Sequence, residues 1–87
     1  MNSQKISILK INEILNAELA HAIGKDLEAD DYETIAARYG RSANSLRQVV
    51  YRQTPVTLKL KIVVEAMMKQ AKSNHAKRAQ IYKLHAR

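Results

Sequence analysis

The sequence contains no cysteine, no tryptophan and no phenylalanine. Without cysteine it can form neither a disulfide nor a thiolate metal site. Tyrosine, present four times, is its only aromatic residue. That leaves few rings for stacking unpaired bases, so a reader of single-stranded RNA or DNA is disfavoured. A single proline, Pro55, and two glycines, Gly24 and Gly40, leave the chain nearly free of helix breakers. No apolar run approaches the roughly 18 residues of a membrane helix, and no stretch has the build of a secretory or targeting peptide. A soluble cytoplasmic protein is expected, without a membrane partner; the basic end also lacks the large apolar face needed to lie on a lipid surface.

What the chain does have is Ala, Leu, Lys, Arg and Gln in quantity, residues that favour helix. The expected class is all-α, a compact bundle of four to five helices forming one domain of 87 residues. A core of that size is small, so close packing or a second copy must contribute to stability.

The net charge is +7 and unevenly spread. Residues 1–31 carry three Lys against six acids. Residues 32–56 carry four Arg against one Glu, and residues 57–87 carry eight Lys and Arg against one Glu. An acidic front and a basic remainder describe a surface that meets a polyanion with its N-terminal part turned away. A solvated basic face kept for solubility would show the same totals.

Ser3 to Ile23 reads as the first helical region. Ile8, Ile11, Leu15, Leu19 and Ile23 recur at three- and four-residue steps, with Ile14 and Ala22 widening the face. Gly24 reads as its C-cap. Lys25 to Ala29 is a polar connection from which Leu27 tucks under the core. Asp30 and Glu33 have the spacing of a capping box, opening a helix from Tyr32 to about Tyr39 with Ile35, Ala36 and Tyr39 inward. Gly40 supplies a sharp turn. Ser42 is a natural N-cap for a third helix, Ala43 to about Gln53, with Leu46, Val49 and Val50 inward. Thr54 and Pro55 repeat the start signal, as N-cap and first helical residue. Val56 to Ile62 alternates as a half-buried strand would. Leu60, Val63, Val64, Met67, Met68 and Ala71 instead fit a helical stripe, and composition favours a supporting helix over 54–72. Ser73 and Asn74 either break this helix or lie within it. Residues 73–87, with Ile81 and Leu84 on one side, read as a basic terminal helix or tail.

The informative stretch is 30–53. Two short helices meeting steeply need a small residue where they approach, and Ala36 is small. They need a glycine at the turn four residues later, and Gly40 stands there. They need apolar residues on the second helix to pack back, and Leu46 and Val49 have the spacing. This is the pattern of a helix-turn-helix, whose second helix enters the DNA major groove.

Over residues 30–70 the chain resembles the helix-turn-helix transcriptional regulators of the lambdoid phage repressor and Cro type. It departs from them at Arg41, where the family usually has an apolar residue, so a more open turn is expected. The first helical region is not a close match either. The resemblance implies double-stranded DNA as partner, a nucleoid location, a repressor's role and a phage, plasmid or other mobile-element setting. Asn44, Arg47, Gln48 and Tyr51 would face the bases, because Asn and Gln bond adenine in pairs and Arg bonds guanine. Arg41, Ser42 and Ser45 would hold phosphate at the start of the reading helix, and Arg38, Arg52, Lys59 and Lys61 would clamp the backbone. One reading helix covers few base pairs, so a homodimer on a palindrome is expected. Three surfaces could join the copies: the Ile8–Ile23 stripe, the Met67–Met68 region and the Ile81–Leu84 tail. The first two read better as core.

His21, His75 and His85 lack zinc-site spacing, and Asp30 with Asp31 reads as a helix cap rather than a metal pair. Ser42 and Ser45 have no partnered His and Asp, and no glycine-rich phosphate loop is present. No enzyme, cofactor, metal or small-molecule ligand is expected. The competing reading is a small protein-binding module of phage or plasmid type that uses a helical fold to grip a protein.

Overall fold

Asn16 sets the start of the first helix. Its side-chain oxygen accepts the backbone N–H groups of Glu18 and Leu19 at 2.9 and 3.2 Å, satisfying two donors that have no carbonyl partner in the first turn. The computed structural model describes residues 11–85, and α1 runs Ala17–Asp26. The sequence expectation of one helix from Ser3 to Ile23 is therefore corrected within the described part. Residues 11–16 are not helical. Asn12 has a left-handed φ of 67°, and Glu13 forms an isolated antiparallel bridge with Val56. The predicted stripe divides accordingly. Leu15 and Ile23 are buried and Leu19 is half-buried, while Ile11 and Ile14 are exposed; Ile8 lies outside the described residues.

Gly24 is not a C-cap. It lies inside α1, where a Cβ would stand 3.4 Å from Val50 Cγ1. A methyl there would meet the third helix at van der Waals contact. The chain leaves α1 at Leu27, which is buried.

Helix α2 runs Ala29–Arg38. It begins earlier than expected, and its capping pair is Glu28 with Asp31 rather than Asp30 with Glu33. The Glu28 N–H donates to Asp31 Oδ2 at 2.9 Å. Tyr32, Ile35 and Ala36 are its buried residues.

Helix α3 runs Ala43–Val50, and its N-cap is Ser42 as expected. It stops short of Gln53 because Arg52 turns left-handed, with φ 63°. The Gln53 N–H then donates to the Gln48 carbonyl at 2.8 Å, closing a wrapped helix end of Schellman type.

Helix α4 runs Leu58–His85 without interruption. Thr54 and Pro55 do not start it. Thr57 does, accepting the Leu60 N–H on both its hydroxyl and its carbonyl. Val56 belongs to the bridge and Leu58 to the helix, which resolves the strand-or-helix ambiguity. Ser73 and Asn74 do not break α4. Asn74 is held by long-range bonds: its Nδ2 donates to the Asp26 carbonyl and to Asp31 Oδ2, both at 2.8 Å.

The fold is an all-helical, four-helix arrangement among the described residues. α4 packs against α1 and α2, α2 against α3, and α1 against α3. Leu15, Ile23, Leu46, Val49, Val56, Val63, Val64 and Met67 meet at the centre and are all but sealed from solvent. Burial of each such side chain stabilises the fold by about 1.5–3 kcal/mol. Two of the eight, Leu15 and Val56, enter from outside the helices. The Glu13–Val56 bridge and a bond from Arg52 Nε to the Leu15 carbonyl, 2.9 Å, hold them there.

Candidate nucleic-acid interface

The turn between α2 and α3 is built by backbone groups. Gly40 has φ 68°, a conformation that costs an L side chain about 1–2 kcal/mol. With Gly40 in that state, the Arg41 N–H reaches the Ala36 carbonyl at 2.8 Å and the Gly40 N–H reaches Ala37 at 3.3 Å. The turn is closed, not opened by Arg41 as expected. Only the backbone N–H of that residue is needed, and its side chain stays half-buried.

Ser42 Oγ accepts the Ser45 N–H at 3.1 Å, and Ser45 Oγ donates back to the Ser42 carbonyl at 2.8 Å. The Ser45 hydroxyl proton is therefore committed within the cap, whereas Ser42 is exposed. Leu46, Val49 and Val50 anchor the inner side of α3.

At about 100° per residue, Asn44, Arg47, Gln48 and Tyr51 fall within an arc of about 100° on the side away from those anchors. Their surroundings differ. Asn44 is exposed, and Tyr51, at the C-cap, is 59% exposed. Gln48 is half-buried, its Oε1 accepting the Thr54 hydroxyl at 3.4 Å. Arg47 is half-buried because its guanidinium lies over the Tyr32 ring, 4.9 Å from the centroid. Burial raises the Tyr32 hydroxyl above its ordinary pKa, and Tyr51 adds to the rise while Arg47 opposes it.

The remaining cations lie on three elements. Arg38 is the exposed last residue of α2. Arg52 is exposed, but its Nε is spent on the Leu15 carbonyl. Lys59 is exposed and Lys61 half-buried at the start of α4, which has no acidic residue in its first turn. Two lysines there add to the positive end of the helix dipole instead of offsetting it.

No family model matches the chain, and neither a curated protein nor a solved structure matches it.

The sequence reading missed Tyr32 as a neighbour of Arg47. The contact crosses from α2 to α3, and spacing along the chain reads Tyr32 only as the start of a helix. It also missed Asp26, buried at the end of α1 beside Arg78, His75 and Lys25. His75 Nδ1 lies 3.5 Å from Asp26 Oδ2, so this histidine joins a structural cluster. Among the described residues, no group of three or more His, Asp or Glu side chains has a metal-holding arrangement, and no helix is long and apolar enough to cross a membrane. An open apolar groove of about 580 Å3 lies between α1 and α4, and none of its lining residues comes from α3.

Of the surfaces considered for joining two copies, Leu15, Ile23 and Met67 are core. Ile81 is 53% exposed near the end of α4.

Proposed function

We propose that this chain is a small transcriptional regulator, acting as a repressor, that binds double-stranded DNA in a sequence-specific way. In this reading α3 enters the major groove, and two copies bind a palindromic operator. One observation carries it: α3 bears Asn44, Arg47, Gln48 and Tyr51 on one arc, the first and last exposed and the middle two half-buried, while its opposite side is anchored in the core. Those four side chains can discriminate bases by paired hydrogen bonds and apolar contact.

Two further features support the reading. The closed Gly40 turn and the Ser42 cap fix the angle at which α3 leaves α2. Lys59 and Lys61 at the dipole-positive end of α4, with Arg38 and Arg41, supply cations for phosphate. The likeness to phage repressor and Cro-type regulators rests on the motif and these features alone.

The test is selection of bound duplexes from a random library at near-physiological salt, beside the triple variant Asn44→Ala/Arg47→Ala/Gln48→Ala. The expected result is a palindromic motif for the native chain that vanishes in the variant. No enrichment, or a motif indifferent to the three substitutions, would move the weight to a protein-binding role.

A further inference from the structure

Arg47 and Tyr32 belong to different helices and meet across the α2–α3 junction. The Arg47 guanidinium carbon lies 4.9 Å from the centre of the Tyr32 ring. Tyr32 is 4% exposed, and its ring is part of the core. We propose that Tyr32 is the positioning residue for Arg47: it holds the guanidinium over its ring and so sets which base edge the arginine reads. This inference rests on the DNA-reading role of α3.

The chemistry follows from the shape of the group. A guanidinium has a weakly hydrated face and an edge bearing its N–H donors. The face suits an aromatic ring, and the edge suits the paired acceptors of guanine. Stacking uses the face and spends no donor. Among the described residues no carboxylate pairs with Arg47, so its edge has no ionic competitor there.

An arginine on an exposed helix face otherwise samples many rotamers, and ordering it opposes binding. A ring already beneath the guanidinium removes most of that ordering before DNA arrives. The rise of the Tyr32 hydroxyl pKa through burial and Tyr51, countered by Arg47, agrees with this close grouping.

The experiment compares native chain, Tyr32→Phe, Tyr32→Leu and Arg47→Ala in duplex selection, each held well below its own melting temperature. Phe keeps the ring and is expected to return the native motif. Leu is expected to relax the one base position that Arg47→Ala relaxes, by about tenfold in discrimination, with affinity for an unrelated duplex unchanged. The ring-current shift on the Arg47 side-chain protons, read by NMR without DNA, should persist in Tyr32→Phe and vanish in Tyr32→Leu. A native motif retained in full by Tyr32→Leu overturns the positioning role alone. So does a uniform loss on all duplexes, which is what a purely structural tyrosine would give. If the native chain enriches no motif, the DNA reading falls and the positioning role with it, whatever the ring-current shift shows.

Discussion

Arg78 follows Asp26 by 52 residues, yet its Nη1 stands 2.7 Å from Asp26 Oδ1. The same guanidinium reaches toward the Lys25 and Asp26 carbonyls at 3.4 Å, so it also caps the C-terminal end of α1. Beside it, Asn74 links the Asp26 carbonyl to Asp31, the residue that caps α2. The last turn of α1 and the first turn of α2 are thus tied to one face of α4.

Removing one side of the pair leaves a carboxylate, 8% exposed, without its main partner. Arg78 is 40% exposed, so solvent replaces part of the loss. Arg78→Ala is expected to cost about 1–2 kcal/mol, read as a lower urea midpoint with an unchanged slope. Arg78→Lys should recover little, because an ammonium cannot serve a carboxylate and two carbonyls in one plane. A double-mutant cycle with Asp26→Ala that shows no coupling would refute the tie.

Gly40 should be costly to replace for its backbone alone. No heavy atom lies within 4 Å of where its Cβ would stand, and its φ is 68°. Gly40→Ala is expected to destabilise by about 1–2 kcal/mol, and Gly40→Asn by less. Thermal melts of the three proteins decide it, with Ala lowest.

Arg52 makes the complementary case. It takes φ 63° without being glycine, and its Nε holds the Leu15 carbonyl. Arg52→Gly relieves strain and loses the bond; Arg52→Ala loses the bond and keeps the strain. The alanine variant should therefore be less stable than the glycine variant by about 1 kcal/mol. Equal melting temperatures would show that the turn adjusts freely.

Tyr32 gives a pH signature. Burial, then Tyr51, raise its hydroxyl pKa above the ordinary value. In the unfolded chain it ionises first, so over that window the native state holds the extra proton and stability falls as pH rises. Stability should be level in this respect below about pH 10 and decline above it. Tyr32→Phe should flatten that decline, read as urea midpoints measured across the alkaline range.

If α3 reads DNA, salt separates its two kinds of contact. Log affinity should fall against log salt with a slope of about −0.9 per phosphate neutralised. Lys59→Ala should weaken every duplex alike and make the slope shallower by about 1. Arg47→Ala should cost about 1–3 kcal/mol on the preferred site and relax one position. Identical losses from both on all duplexes would remove Arg47 from the reading set.

How much of this was legible in the sequence varied along the chain. The α2–α3 unit was readable because its determinants are local: Gly40 at the turn, Ser42 at the cap, Ala36, Leu46 and Val49 inward. Region 11–26 misled. Leu15 fits a helical stripe with Leu19 and Ile23, but it reaches the core from an extended segment pinned by Val56 and Arg52, some 40 residues away. Asn16, which caps α1, lies in the middle of that stripe, so periodicity alone carries the helix past its true start. Asn74 misled for the same reason: its polarity suggests a break, and its two partners lie 48 and 43 residues upstream. The placing of Asn44, Arg47, Gln48 and Tyr51 on one arc of α3 follows from spacing; the half-burial of Arg47 and Gln48 and the ring beside Arg47 do not, since spacing along the chain does not reveal contact across a junction.

A left-handed residue stands on each side of α3, Gly40 before it and Arg52 after it. The outer positions Asn44 and Tyr51 of this helix are exposed and can be rewritten by drift or by design without touching the core. Arg47 is different, because its support is inherited from the preceding helix. If α3 reads DNA, a lineage acquiring a new preference through position 47 would have to revise position 32 with it, and the unit of evolutionary change would be the pair.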